Sequence, residues 1–240
     1  MGGAKPVFLP VLLGGMWLLA GCASVPPTEE ASDPLEPVNR LIYRFNDKVD
    51  RFALKPLAQG YEKAVPTPVR RSVHNFFSNL WEPRTIVNDL LQGKFEQGLQ
   101  DTLRFAFNTT AGIGGLFDVA TPMQLPRHRE DFGQTLGRWG IGEGWYLVLP
   151  ILGPSNVRDA VSLFPDYALD PVTRHDEVRE RNVLYGVRTV DARARLLHAT
   201  RLRESAAVDP YLFTRESYRQ HRWDRIWDGN PPPVEFDEME

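Results

Sequence analysis

The chain holds a single cysteine, Cys22, and it follows directly on an apolar stretch at the N-terminus. One cysteine supports neither an intrachain disulfide nor a thiolate metal cluster, so any fold here is held by noncovalent packing alone. The apolar stretch runs from Val7 to Ala20 and is interrupted by Pro10 and Gly14-Gly15. At helical rise it would extend about 21 Å, short of the ~30 Å hydrocarbon core of a bilayer. With Lys5 ahead of it, the stretch is the apolar region of a signal peptide covering residues 1–21.

Leu19-Ala20-Gly21-Cys22 sets small residues immediately before the cysteine. This resembles a bacterial lipobox, with Cys22 as the lipidation site, modified by diacylglyceryl thioether formation and then cleaved. One fatty chain holds a membrane only marginally, whereas the three chains of a mature lipoprotein make attachment effectively permanent. Ala23 stands where an Asp would direct retention, so the bacterial sorting pattern implies delivery to the outer membrane. Residues 22–32 form the acylated cysteine and a polar tether. The folded body is expected over 33–229. The Pro-rich acidic stretch 230–240 is expected to be a disordered tail.

Composition narrows the class. A hydrophobic content of 42% with 25% charged residues fits a core-forming chain, and a net charge of −3 leaves no global footprint for nucleic acid. Val38, Leu41, Ile42, Phe45, Val49 and Phe52 mark one apolar face of a helix, with Asp33 as its N-cap and Pro56 as its stop. A second stripe comprises Val69, Val73, Phe76, Phe77 and Leu80. A third comprises Ile86, Leu90 and Leu91 and closes at Gly93. A fourth comprises Leu99, Leu103, Ala106 and Phe107. Helical patterning returns from about Asp176 to Leu197, and a last helix is expected from Pro210 towards Trp227. The fold class is therefore all-α: a mainly helical single domain with one Gly-rich irregular insert between Gly112 and Gly153.

Catalytic and metal chemistry find little footing. His74, His128, His175, His198 and His221 are scattered, without a helical His-x-x-x-His pair, so no metal or other cofactor is expected. Gly112-Ile-Gly-Gly115 lacks the strand before it and the Lys-Ser/Thr after it that a phosphate loop requires. Ser155 with Asp159 is the best nucleophile on offer and has no histidine nearby in sequence; Ser155 reads as the cap of a short helix. The arginines from Arg174 to Arg203, including Arg188, Arg193 and Arg195, read as a solvated helix face, with contact to anionic lipid headgroups as the alternative.

The insert resists a bland reading. Gly140, Gly142 and Gly144 lead into Trp145-Tyr-Leu-Val-Leu-Pro-Ile-Leu152. Eight apolar residues cannot span a bilayer, and as a helix they would be apolar all round. They need either core burial or a re-entrant, lipid-facing position shielded by neighbouring helices. Asn75-Phe76-Phe77 carries the same choice between core and lipid contact.

In order along the chain stand Asp33 to Arg40, Asn75 to Leu80, Asn88 to Gly93, Gly112 to Asp118, Glu130 to Leu136, Gly140 to Gly144, Tyr146 to Pro150 and Gly153 to Asp159. Together, behind a lipobox, these segments resemble the MlaA (VacJ) family of outer-membrane lipoproteins, from Asp33 to about Gly229. Trp145 departs from the pattern, which usually has Pro there. The resemblance implies a helical ring in the inner leaflet of the outer membrane, enclosing an amphipathic pore. Its role would be to take mislocalised phospholipids from the outer leaflet and keep the membrane asymmetric. The partners it implies are membrane phospholipids, a trimeric outer-membrane porin, a periplasmic lipid-binding protein (MlaC-like) and, indirectly, an inner-membrane ABC transporter. Gly140, Gly142 and Gly144 would be the hinge of a pore loop. Asn75, Phe76, Phe77, Tyr146, Leu147 and Pro150 would belong to membrane or pore segments. No enzyme is implied. The residues alone leave a lipoprotein phospholipase and a purely structural envelope lipoprotein open as other classes.

Overall fold

A computed structural model describes residues 33–232; the signal region, Cys22, the tether and the last eight residues lie outside the described residues. Helix α1 (Glu36–Val49) passes through a π-helical turn, Asp50–Leu54, into α2 (Lys55–Ala64). Helices α3 (Thr67–Leu91), α4 (Phe95–Thr110) and α5 (Phe132–Arg138) follow. Strands β1 (Tyr146–Leu149) and β2 (Gly153–Asn156) form an antiparallel hairpin, pairing Tyr146 with Asn156 and Leu149 with Gly153. Helices α6 (Val157–Leu169), α7 (Val178–Arg195), α8 (Leu197–Ala206) and α9 (Pro210–Ile226) complete the described chain.

Packing follows a circuit. Helix α3 contacts α4 and α7, α7 contacts α2, α1 contacts β1, β2 contacts α9, and α9 contacts α5, which returns to α3. The contact path closes on its own starting helix, giving the mainly helical ring that the resemblance implies.

Several local expectations change. Pro56 does not stop the first helix: the widened π turn ahead of it relieves the clash between the proline ring and the preceding turn, and Pro56 sits in the first turn of α2. The second and third stripes lie on one continuous helix, α3, which tolerates Pro83 in its interior. Its end is as expected: Gly93 has φ 75°, its N–H bonds to Leu90 O, and Lys94 N–H bonds back to Asp89 O. Asp33 caps no helix; α1 begins three residues later, and the Asp33 carboxylate accepts from Asn39 Nδ2 at 3.1 Å and from the Tyr211 hydroxyl. Ser155 is not a cap either. Asn156 is, because the strand runs through it and only then can the helix begin; its Oδ1 accepts from Asp159 N at 2.7 Å. The apolar run after Gly144 is a hairpin, not a helix, since glycine at 153 (φ 89°) and a left-handed Ile151 (φ 66°) allow a tight reversal.

The larger surprise is direction. On α4 the residues turned inward are Gly98, Asp101, Arg104 and Asn108, while Phe95, Leu99 and Leu103 face out. On α3 the buried set runs Asn79, Glu82, Thr85, Asn88 and Asp89 beside Phe77; on α6 it is Arg158, Asp159, Ser162 and Asp166, with Val161 and Phe164 exposed. Each series keeps helical spacing, so these are amphipathic helices with the polar face inside. Among the described residues, buried polar side chains outnumber buried apolar ones. A conventional apolar contact survives only in patches, as where Ala58 of α2 meets Ala194 and Leu197.

Candidate functional site

The ring encloses a cavity of about 640 Å³. One wall is α3, which contributes His74, Phe77, Ser78, Trp81, Glu82 and Arg84; facing it are Arg127, His128, Arg129 and Asp131, Leu163 and Asp166 of α6, Arg188, Asp191 and Arg195 of α7, and Arg225 of α9. Leu152, from the tip of the hairpin, reaches the same space. Trp81 is stacked by two guanidiniums, Arg84 at 3.9 Å and Arg188 at 5.2 Å from its ring centre. The lining is thus both charged and apolar.

Charged networks hold the wall in place. Arg104, fully buried, donates to Asp118 Oδ1 at 3.1 Å and to Leu125 O, and Glu82 lies 3.8 Å away. Asn108 Oδ1 accepts from Val119 N at 2.9 Å and Ala120 N at 3.1 Å. The Gly112–Asp118 segment is therefore a bracket rather than a phosphate loop, and a Cβ on Gly115 (φ 87°) would come within 2.4 Å of Asn79 Cβ. Asp131 caps α5 and forms two bonds with Arg222, at 2.5 and 2.7 Å; Arg222 also reaches Asp159 at 2.7 Å. Burial alone would raise Asp131, but Arg222 holds it well below the usual carboxylate range. Glycine at 133 is needed because a Cβ would strike Arg222, Asp159 and Ser162.

Of the arginines read as a solvated face, Arg174, Arg179, Arg195 and Arg201 are exposed, while Arg188 and Arg193 are half-buried ties. Arg193 grips Asp50 at 2.5 and 2.8 Å, Arg188 pairs with Asp170 at 2.7 Å, and Arg195 pairs with Asp191 at 3.4 Å. Arg222, Arg104 and Tyr218 were not singled out in the sequence at all. Tyr218 donates to Asp159 at 2.5 Å. Nothing in a lone sequence marks an arginine as buried.

The hairpin is fastened by two asparagines two turns apart on α1. Asn39 Nδ2 donates to Tyr146 O at 2.9 Å, and Asn39 Oδ1 accepts from Val148 N at 2.9 Å. Asn46 repeats the arrangement with Leu149 O at 2.9 Å and Ile151 N at 2.7 Å. These side chains act as the missing neighbour strand of β1. Tyr146 and Val148 pack with Tyr211 and Ile42; Leu147 is half-buried, while Pro150, Ile151 and Leu152 are exposed at the turn.

The expected site residues fall into separate places. Gly140 and Gly144 have φ of 86° and 68°, whereas Gly142 is not among the positive-φ residues. Phe77 lines the cavity, Phe76 stands edge-on to it at 5.3 Å, and the Asn75 amide reaches towards Leu116 O at 3.5 Å. The structure brings Phe77 and the hairpin tip to one cavity; Tyr146 instead lines a smaller one of about 210 Å³ beside α1. Cys22 lies outside the described residues. Ser155 is buried and donates to Asn156 O at 3.3 Å, and Asp159 is held by Asn156, Arg158, Tyr218 and Arg222.

A cavity with charged and apolar walls, inside a ring of outward apolar helix faces, coincides with a family match. The model of the MlaA lipoprotein family matches residues 31–225. This chain belongs to that family. It is 38% identical to the intermembrane phospholipid transport system lipoprotein MlaA of Shigella flexneri over 92% of this chain and 89% of that one. To the Escherichia coli K12 lipoprotein of the same description it is 37% identical, again over 92% and 89%. It superposes with a TM-score of 0.72 and 36% identity on a solved structure described as "Structural basis for maintenance of bacterial outer membrane lipid asymmetry", covering 83% of this chain and all of that one.

Proposed function

We propose that this MlaA-family chain is an outer-membrane lipoprotein that takes phospholipids misplaced in the outer leaflet and passes them through its cavity towards the periplasm, keeping the membrane asymmetric. The observation that carries this is the inverted polarity of the ring. In water, an exterior bearing Phe52, Phe95, Leu99, Val161 and Phe164 would be an aggregation hazard. In hydrocarbon the requirement reverses: polar groups have to be satisfied internally, and outward apolar side chains lose nothing. Among the described residues no helix is long and apolar enough to cross a membrane. The reading therefore places the ring within one leaflet, the inner, held by lipid on Cys22.

The same polarity suits a conduit. A headgroup needs charged walls, which α3, α6 and α7 provide; acyl chains need apolar surface, which Phe77, Leu152 and Leu163 begin. Movement from a leaflet packed with lipopolysaccharide is downhill, so the conduit itself requires neither nucleophile nor energy source, and we assign no chemistry to Ser155. A trimeric porin, a periplasmic lipid-binding protein and, beyond it, an inner-membrane transporter are the partners this reading calls for.

The test is the amount of phospholipid on the surface of cells lacking the gene. The reading requires a rise that plasmid-borne wild type reverses and Cys22→Ala does not. An unchanged surface lipid content would overturn it. Lysolipid released by the purified protein from intact phospholipid would favour a phospholipase instead.

A further inference from the structure

Most of the charged side chains around the cavity are matched by a partner of opposite sign, Glu82 lying 3.9 Å from Arg127 and Asp131 being held by Arg222. Arg84 lies 3.8 Å from Asp166, Arg188 pairs with Asp170, Arg127 lies 3.2 Å from Asp118, and Arg195 pairs with Asp191. Arg129 and Arg225 also line the cavity, and among the described residues neither side chain has an ion-pair or hydrogen-bond partner. Arg129 arises from the segment that follows the Arg104 bracket and Arg225 from the last turn of α9. Two separately anchored elements thus present unpaired guanidiniums to one cavity.

Arg129 and His74 register the nearby guanidiniums. Burial, then the fields of Arg127, Arg195 and Arg225, push Arg129 below the usual arginine range. His74, whose ring accepts from Arg195 Nη1 at 2.8 Å, is pushed down to about 4 by burial and then by Arg195, Arg127 and Arg129. At neutral pH His74 is therefore an uncharged acceptor that steadies Arg195 and adds no further positive charge.

We propose that Arg129 and Arg225, with Arg195 beside them, form a phosphate subsite that receives the phosphodiester of a phospholipid headgroup inside the cavity; this rests on the transport function proposed above. Guanidinium forks match phosphate oxygens in both geometry and charge. The apolar side chains of Phe77, Leu152 and Leu163 in the same cavity favour an amphiphile over free phosphate. Arg129 is exposed and Arg225 half-buried, as a conduit requires: a site that must also release its cargo cannot bind it too tightly.

The full lipoprotein in non-ionic detergent can be titrated calorimetrically with dihexanoylphosphatidylglycerol, with dihexanoylglycerol, which lacks the phosphate, and with inorganic phosphate. The expected result is that R129Q/R225Q weakens the phosphodiester lipid about tenfold or more, leaves dihexanoylglycerol unchanged, and keeps the wild-type unfolding midpoint. Arg129→Lys, retaining the charge, should lose less than Arg129→Gln, and that pair decides the matter should the double variant be unstable. Equal phosphodiester affinity in wild type and the glutamine variants would overturn the subsite while leaving lipid transport intact. Free phosphate binding as tightly as the lipid would overturn the headgroup assignment. Failure of wild type to bind either lipid would overturn the transport reading and the subsite with it.

Discussion

The α3–α4 pair and the hairpin meet the same solvent problem from opposite sides. In α3–α4, charged side chains point inward and are fixed by one another: Arg104 alone ties Asp118 and Leu125 O beside Glu82. In the hairpin, the apolar residues Tyr146 and Val148 point inward, and attachment comes from two neutral asparagines. A buried ion network loses several kcal/mol when one member is removed, because the others are left desolvated. A neutral amide bonding a strand edge loses far less and can exchange with water. The first region is built as rigid wall. The second can come away from α1 without stranding a charge, and it is flanked by glycines that tolerate rotation.

The contrast is broken most severely at Arg104. Arg104→Ala should lower unfolding free energy in detergent by about 3–5 kcal/mol. A loss under ~1 kcal/mol would mean the wall is not held by charge.

Asn39→Ala should loosen the hairpin by about 1–3 kcal/mol of local opening, the Asp33 carboxylate it also bonds keeping its bond from Tyr211. Hydrogen exchange is the measurement: amides of 146–151 should lose protection while those of α3 and α4 keep theirs. Equal loss in both regions would make hairpin and wall one cooperative unit.

A smaller effect separates the regions by pH. Burial, and then Asp101, push Asp89 on α3 up to about 8. The folded state thus holds a proton that an unfolded aspartate releases near 4, so the favourable contribution is complete below that pH and fades as pH rises through about 8. Stability should fall between about pH 4 and 8, and Asp89→Asn should flatten that slope. Hairpin protection should follow pH only weakly. Tyr146 is pushed further above its ordinary tyrosine range by burial and stays neutral throughout.

The least change in stability is expected for Gly142→Pro, within ~0.5 kcal/mol, since among the described residues the Gly142 N–H makes no backbone hydrogen bond. Transport is where it should register: we expect the variant to be acylated and abundant yet unable to clear outer-leaflet phospholipid, because proline removes the freedom to swing the hairpin. Clearance at the wild-type rate would make the loop static scaffold.

Sequence alone determined where most helices lie. The stripes on α1, α3 and α4, the closure at Gly93 and the last helix from Pro210 all follow from spacing and end signals, which act over a few residues. The segments that carry the family resemblance also proved to be structural: Gly115 under Asn79, Asp131 as a cap, and Asn156 starting α6. Which face of each helix points inward was not legible. Periodicity says that two faces differ; it carries no sign, and the sign depends on whether water or hydrocarbon lies outside. Nor could the sequence join Arg222 to Asp131 across ninety-one positions, or pair Asn39 and Asn46 with a strand more than a hundred residues away. Those contacts exist only once the ring has closed. Local propensity places a side chain on a helix, but what it touches is settled by which elements the closed ring sets against one another.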